Sequence, residues 1–306
     1  MSIGEVDYRG GMSVETLQLP SLDGAEVVVP APGQGPGNWA GAASAVLHDG
    51  TFWLAWRSRR PLAQGRGVTV SVARSTDGVR FETVAEVHRD TFGCESLERP
   101  VLVPLPEGGW RLYLSCATWD SKHWWVDSLT AATPAELPDG KRRLVLPGTE
   151  TVAVKDPVIT VTDGFWEMWL CCHPLTEAGQ EDRMTSRYLT SADGLEWEDH
   201  GEVLAGRAGA WDARGARVTT VISREPLTVL YDGRPDADSN WYETTGVAIV
   251  GSDGRLHAQP GEPVRSAFSD GAFRYASAVP LPEGRIRYYV EAARPDGAHD
   301  LVTVLR

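Results

Sequence analysis

One carboxylate stands where either a turn or a reaction could use it: Asp156, in the stretch "VKDPVITV" that begins at Val154. Asp ahead of Pro caps a turn well and Pro fixes the next φ, so a conformational role is available. The alternative is that Asp156 is presented at the mouth of a site. Similar polar groups stand ahead of other aromatic, β-type runs along the chain. Asn38 and Trp39 precede the first, Glu95, Glu98 and Arg99 the second, and Lys155 and Asp156 the third. Asp212, Arg214 and Arg217 precede the fourth, and Tyr275 the fifth. Arg57, His173, Asp232 and Glu291 close the next runs, while "CATWDSKHWW" offers Trp119, Asp120 and His123 on a long loop. Carboxylates and arginine forks in such a set bind hydroxyls through charge-assisted hydrogen bonds. Tryptophan rings on such a loop offer a flat apolar face to a ligand. No phosphate loop, Gly-x-Ser-x-Gly elbow or His-Glu-x-x-His occurs, so serine-hydrolase and metalloprotease readings have no support.

What must position these residues is repetitive and all-β. Runs such as "DPVITV", "FWEMWLCC", "RMTSRYLTSADG" and "LEWEDHGEVL" recur in the same order every 55 to 60 residues or so. The counterpart beginning at Ala43 reads "ASAVLHDG", "TFWLAWRSR", "GVTVSVARSTDG" and "VRFETVAEVH". Five such units fit, the last with only three strands before Arg306. The segment "AEVVVPAP" lies outside them and can supply the missing outer strand. Radial repetition of four-stranded antiparallel sheets is a β-propeller. The expectation is one five-bladed domain over residues 1–306, with residues 1–34 carrying the strand that closes the ring. Trp53, Trp56, Trp166, Trp169 and Trp197 fall in strands or repeat turns and read as packing between blades.

The composition agrees with a core-forming globular chain: 306 residues, 42% hydrophobic and 23% charged. Its 12 Trp, 32 Gly and 20 Pro mark many turns and unusual aromatic content. A formal charge of −13 argues against nucleic acid and anionic membrane surfaces, which require a basic face. The first residues, "MSIGEVDYRGG", lack the charged-then-apolar pattern of a signal peptide, and a cytoplasmic location is expected. Cys94, Cys116, Cys171 and Cys172 have no CxxC spacing and read as reduced, buried thiols, with no metal site.

The turns "ARSTDGVRFE" (73–82) and "TSADGLEWED" (190–199) share the form Ser-x-Asp-Gly-x-x-aromatic. With the Asp-Pro strand opening and the aromatic second strands, they make residues 35–306 resemble the five-bladed propellers of glycoside hydrolase families 43, 62, 32, 68 and 130. "GAWDARGARV" (209–218) resembles a turn of glycosidase-like propellers as well. The resemblance implies that first strands line a central funnel, with their leading ends in the substrate pocket. It implies a catalytic Asp from blade one, a second Asp that orients substrate, and a Glu acid. The equivalent places here hold Ala42 or Ala43, Arg99 with Glu98 beside it, Asp156, Arg217, and Tyr275 or Ala276. The blade-one carboxylate is therefore absent. The resemblance still implies a glycosidase-like enzyme acting on a small saccharide or glycosylated small molecule, with Asp156 as acid/base and Glu98 or Glu95 as second carboxylate. The remaining polar residues named above bind substrate, and the arginines suit an anionic group. The alternatives are a non-catalytic carbohydrate-binding propeller, or a fold redirected to phosphorolysis or to a step of specialised metabolism. No cofactor is expected, although the resemblance allows a cation on the propeller axis.

Overall fold

The computed structural model describes residues 19–306, and residues 1–18 of the N-terminal segment lie outside it. Among the described residues β1 (Glu26–Val29) comes first, and four groups of four strands come after it. These are β2 (Trp39–His48) to β5 (Glu82–His88), with β3 (Thr51–Arg59) and β4 (Gly67–Ser75) between; and β6 (Leu97–Pro104), β7 (Trp110–Ala117), β8 (Trp124–Ala131) and β9 (Lys141–Leu146). Next come β10 (Val152–Thr162), β11 (Phe165–Pro174), β12 (Thr185–Ser191) and β13 (Glu198–Leu204). The fourth group is β14 (Gly215–Arg224), β15 (Leu227–Arg234), β16 (Thr244–Val250) and β17 (Leu256–Ala258). The last strands are β18 (Phe273–Pro280), β19 (Ile286–Ala293) and β20 (His299–Leu305).

Each group pairs antiparallel in chain order, and β1 adds antiparallel to β20, placing Val27 opposite Val302. A single parallel bridge, Trp39 to His299, ties the first sheet to the last. The leading strands β2, β6, β10, β14 and β18 pack against one another in cyclic order, β18 returning to β2. This is a propeller arrangement. Its hydrophobic core is divided among the gaps between neighbouring sheets, and the five repeat tryptophans sit there: Trp53, Trp166 with Trp197, Trp169, and Trp56 in four separate clusters.

Local sequence explains the elements. Asp49-Gly50 and Asp163-Gly164 have positive φ at both residues, as a two-residue hairpin between right-twisted strands requires. The Ser-x-Asp-Gly turns close on themselves: Asp77 accepts from the N–H groups of Val79 and Arg80 at 2.8 Å, and Asp193 does the same for Leu195 and Glu196 at 2.8 and 3.0 Å. "TPAELPD" forms a short 3-10 turn, Pro134–Asp139, with a Thr133/Glu136 capping box.

The leading strands share one irregularity that decides what faces the axis. In β10 the pairing with β11 skips from Lys155 to Val158, in β6 from Leu97 to Pro100, in β2 from Gly41 to Ser44, and in β18 from Arg274 to Ser277. Two residues on the bulged strand thus oppose one partner, which re-aims their side chains. Asp156, Ala42 and Tyr275 occupy the same bulge position with φ of 50°, 52° and 52°. Asp tolerates this left-handed region better than most residues. The register corrects the sequence alignment in two respects: Glu98, not Arg99, is the blade-two equivalent of Asp156, and in β14 the equivalent is Val218, because Arg217 pairs with Asp232 as Lys155 pairs with Cys171. Arg99 falls level with Pro157. Asp156 is therefore one of two carboxylates at that place.

Candidate functional site at the funnel mouth

A cavity of about 330 Å³ opens at the leading ends of these strands. Of the residues expected there, Trp39, Arg57, Glu98, Lys155, His173, Arg217 and Tyr275 line it. Among the described residues its lining carries eight arginines and lysines against four acidic side chains. The excess of positive charge lies inside a chain whose net charge is −13.

The cavity floor is a continuous ion-pair network. Arg57 donates from Nε to Glu98 at 2.8 Å and approaches Glu291 at 3.5 Å. Arg274 donates to Glu291 at 2.9 Å and also to Glu243. Glu243 accepts in turn from Arg234 at 2.9 Å and Arg217 at 3.4 Å. Arg217 donates to Asp232 at 2.8 Å, to Asp156 at 3.0 Å and to the Tyr275 hydroxyl at 2.9 Å. Tyr275 donates to the same Asp156 oxygen at 3.1 Å, and Lys155 stands 3.5 Å from it. The other oxygen of Asp156, Oδ1, is buried without a partner among the described residues. Asp156 is fully buried and, with Asp232 and Glu291, lies behind the lining residues.

Burial alone would raise the carboxyl pKa values, yet the arginines override it at three places. Glu98 is held well below the usual range by Arg57 and Lys155, and Glu291 by Arg274 and Arg57. Glu243 is held there by Arg274, Arg217 and Arg234. Asp232 is pushed up, because burial, with help from Glu243, outweighs its Arg217 partner. Tyr275 is raised far above its ordinary value, by burial first and Asp156 next, against the pull of Arg217. His173 is driven down to about 3 by burial and then by the Lys155 charge, so its imidazole is neutral. These three glutamates are anions, and Tyr275 and His173 are uncharged, at neutral pH.

The walls are aromatic. Trp39 stacks on His299 at 4.6 Å, and Arg59 lies over both Trp39 and Trp241 at 4.1 and 4.9 Å. Across the mouth, Lys155 sits 4.2 Å from the Trp124 ring. Several lining residues carry a buried donor with no partner among the described residues, Trp39 Nε1, Arg57 Nη1 and Arg217 Nε among them.

Several expected residues lie elsewhere, each for a visible reason. Asn38 holds its own loop, donating to the Gln34 carbonyl at 2.8 Å. Glu95 is partly exposed beside Arg66 at 3.8 Å. Trp119 and Asp120 are exposed, Trp119 donating to the Gly93 carbonyl, and His123 bonds Thr118. The same loop reaches the cavity through Ser121, Lys122 and Trp124 instead. Asp212 is a structural corner, bonded to Arg207 and to the Tyr231 hydroxyl, with Trp211 stacked on Tyr231. Arg214 clamps a loop through Asp182 and Gln180. Arg99 sits on the axis: its Nη2 donates to the carbonyls of Thr219 at 2.6 Å, Ala43 at 3.3 Å and Ala276 at 3.4 Å. These backbone oxygens already serve a fixed cation, so the axial residues do not fit an added metal ion.

The sequence pattern does not single out Arg59, Arg234, Trp241, Glu243 or Arg274, nor Glu181 and Asp182, although all seven line the cavity. Arg234 and Arg274 could have been found: each lies on a strand already implicated, two residues beyond Asp232 and one before Tyr275. Glu243 and Trp241 belong to the chain just ahead of β16 and carry no spacing signal.

Comparison with known proteins is informative at the level of structure only. No family model matches the chain, and no curated protein matches it in sequence. Solved structures do. Beta-1,2-mannobiose phosphorylase from Listeria innocua superposes with a TM-score of 0.61 at 13% identity, covering 94% of this chain and 92% of that one. The endo-arabinase of Bacteroides thetaiotaomicron gives 0.61 at 12% identity, covering 92% and 96%. Sucrose-6-phosphate hydrolase from Lactobacillus gasseri gives 0.63 at 12% identity, covering 92% of this chain and 60% of the other. The leading strands that carry Glu98, Asp156, Arg217 and Tyr275 to one funnel thus belong to an all-β chain with the fold of the propeller glycosidases.

Proposed function

We propose that this chain is a glycosidase-like enzyme that acts, in the funnel cavity, on a small saccharide or glycosylated small molecule bearing an anionic group. The observation that carries the reading is the surplus of arginine and lysine around the cavity, with the network's acids already paired. The unpartnered donors of Trp39, Arg57 and Arg217 suit sugar oxygens, and Arg forks suit a phosphate or carboxylate. The Trp39–Arg59–Trp241 stack offers a face for a sugar ring. The solved structures with this fold include a phosphorylase and a sugar-phosphate hydrolase by name, which favours this substrate class. In this reading Asp156 keeps the acid/base role and exercises it through the Tyr275 hydroxyl, which lines the cavity and donates to it. The four buried free thiols suit a reducing, cytoplasmic setting.

One observation favours a second reading, a binding propeller without turnover. Glu98 and Glu243 face the cavity but are held ionised, whereas hydrolysis needs one protonated carboxyl beside one ionised. A single panel separates the two. Aryl glycosides, sugar phosphates, and neutral sugars with inorganic phosphate are offered to wild type, Asp156→Asn and Tyr275→Phe. The enzyme reading expects turnover of anionic or phosphate-assisted substrates, reduced at least ~100-fold in both variants. Tight binding of sugar phosphates without turnover selects the binding reading. Equal affinity for neutral and anionic sugars overturns both.

A further inference from the structure

The axis has a second open end, and its chemistry differs from that of the funnel. A cavity of about 840 Å³ lies at the trailing ends of the leading strands. Its walls are apolar, built from Val101, Val103, Ile159, Val161, Val221 and Ile222. Its floor is Arg99, which is 3% exposed. Only Nη2 of that guanidinium is spent on backbone carbonyls; Nε and Nη1 are buried with no partner among the described residues. Burial lowers its pKa only to about 10, so the group is a cation at neutral pH.

Three of the hydroxyls that line the same cavity lie one position beyond the bulge in β2, β14 and β18. Ser44 accepts from Leu102 N–H at 3.1 Å, Thr220 from Ala278 N–H at 3.0 Å, and Ser277 from Ala45 N–H at 3.0 Å. None of the three donates to a protein acceptor among the described residues, so each keeps its proton for another acceptor. Among the described residues Asp163 is the carboxylate of the lining, and it is exposed at the rim.

A buried cation with two spare donors, three spare hydroxyl protons and apolar walls describes a ligand with a small anionic head and an apolar body. We propose that this cavity binds an organic monocarboxylate, alkyl or aryl, with its carboxylate on Arg99 and its apolar part along the β6, β10 and β14 wall. A charged head fits because the buried guanidinium has backbone carbonyls on Nη2 but no ion-paired carboxylate among the described residues, and a carboxylate meets its two spare groups in bidentate fashion.

The test is calorimetric titration of the whole chain with octanoate, octan-1-ol and sodium chloride. One equivalent of octanoate is expected to bind, at least ~10-fold more tightly than octan-1-ol, the difference a hydrogen-bonded charge supplies. Ser277→Asp places a carboxylate beside Arg99 and can still accept from Ala45 N–H; it should fold and lose octanoate binding. Arg99→Met should lose it too, and Glu98→Gln, on the funnel side, should not. The proposal is overturned if octanoate does not bind, or if octan-1-ol binds equally well. It is overturned equally if millimolar chloride displaces octanoate, which would make this an inorganic-anion site, or if Ser277→Asp binds like wild type.

Discussion

Glu243 shows how much a single side chain holds in this funnel. It accepts from Arg217, Arg234 and Arg274, all buried; Arg234 shares Asp182 with Arg214 and Arg274 shares Glu291 with Arg57, while Arg217 also holds Asp232. Removing one partner of a buried ionic set leaves uncompensated charge, typically a loss of about 3–5 kcal/mol. Glu243→Gln keeps the shape and removes the charge, and is expected to lose stability in that range by urea denaturation. An unchanged midpoint would mean that the arginines relax into solvent. Acid should reproduce the effect in wild type. Glu98, Glu243 and Glu291 have folded-state pKa values below their ordinary 4.5, so their contribution is complete above that value. It is lost as pH falls below about 4.5, where the unfolded chain takes up the protons first. Asp232, shifted upward, offsets part of this loss. The acid limb of a stability–pH profile should therefore be shallower in Glu243→Gln than in wild type.

At the scale of elements, the Ser-x-Asp-Gly turns do more than reverse the chain. Each receives a tyrosine from the second strand of a neighbouring sheet: Tyr113 of β7 donates to the Gly194 carbonyl at 2.7 Å, and Tyr289 of β19 to the Gly78 carbonyl at 2.8 Å. Gly194 has φ of 71°, and a Cβ there would meet the Tyr113 hydroxyl at 2.6 Å and the Trp166 ring at 2.7 Å. Tyr113→Phe is expected to cost about 1–2 kcal/mol, the value of a buried hydrogen bond whose acceptor is left dry, and Gly194→Ala more. Thermal unfolding of both variants checks the order; equal melting temperatures for wild type and Tyr113→Phe would refute the latch. The turn motif was legible in the sequence because its residues are local. The strand repeat was legible for the same reason, being written in alternation and aromatic spacing. The bulges were not: nothing in "ESLERPVLV" or "VAVKDPVIT" shows that two residues oppose one, and that shift decides whether Glu98 or Arg99 takes in β6 the place that Asp156 holds in β10. Lys122, Trp241 and Glu243 reach the cavity from loops whose path only the packed neighbours determine.

The whole ring depends on a segment that precedes all of its repeats. β1 completes the last sheet by pairing with β20, and Val28 and Val29 pack into the cluster formed by Ala40, Leu54, Tyr289 and Leu301. Around it, Ala31 N–H donates to Asp300 at 2.7 Å, Gly35 N–H to Asp296 at 3.1 Å, and Arg306 to the Asp23 carbonyl at 2.8 Å. Without this segment β20 would present an unpaired edge next to exposed apolar surface, which templates association. The two half-buried valines alone are worth about 2 kcal/mol. A variant lacking residues 1–32 should therefore unfold at lower denaturant and elute partly as oligomers. A peptide of residues 19–34 supplied in excess should restore the midpoint, because it binds the folded ring and not the unfolded chain. Deletion without effect would mean that the last sheet stands on three strands. Destabilisation that the peptide fails to reverse would mean that the segment matters through its covalent link between the ends of the ring, and no longer through the strand it adds.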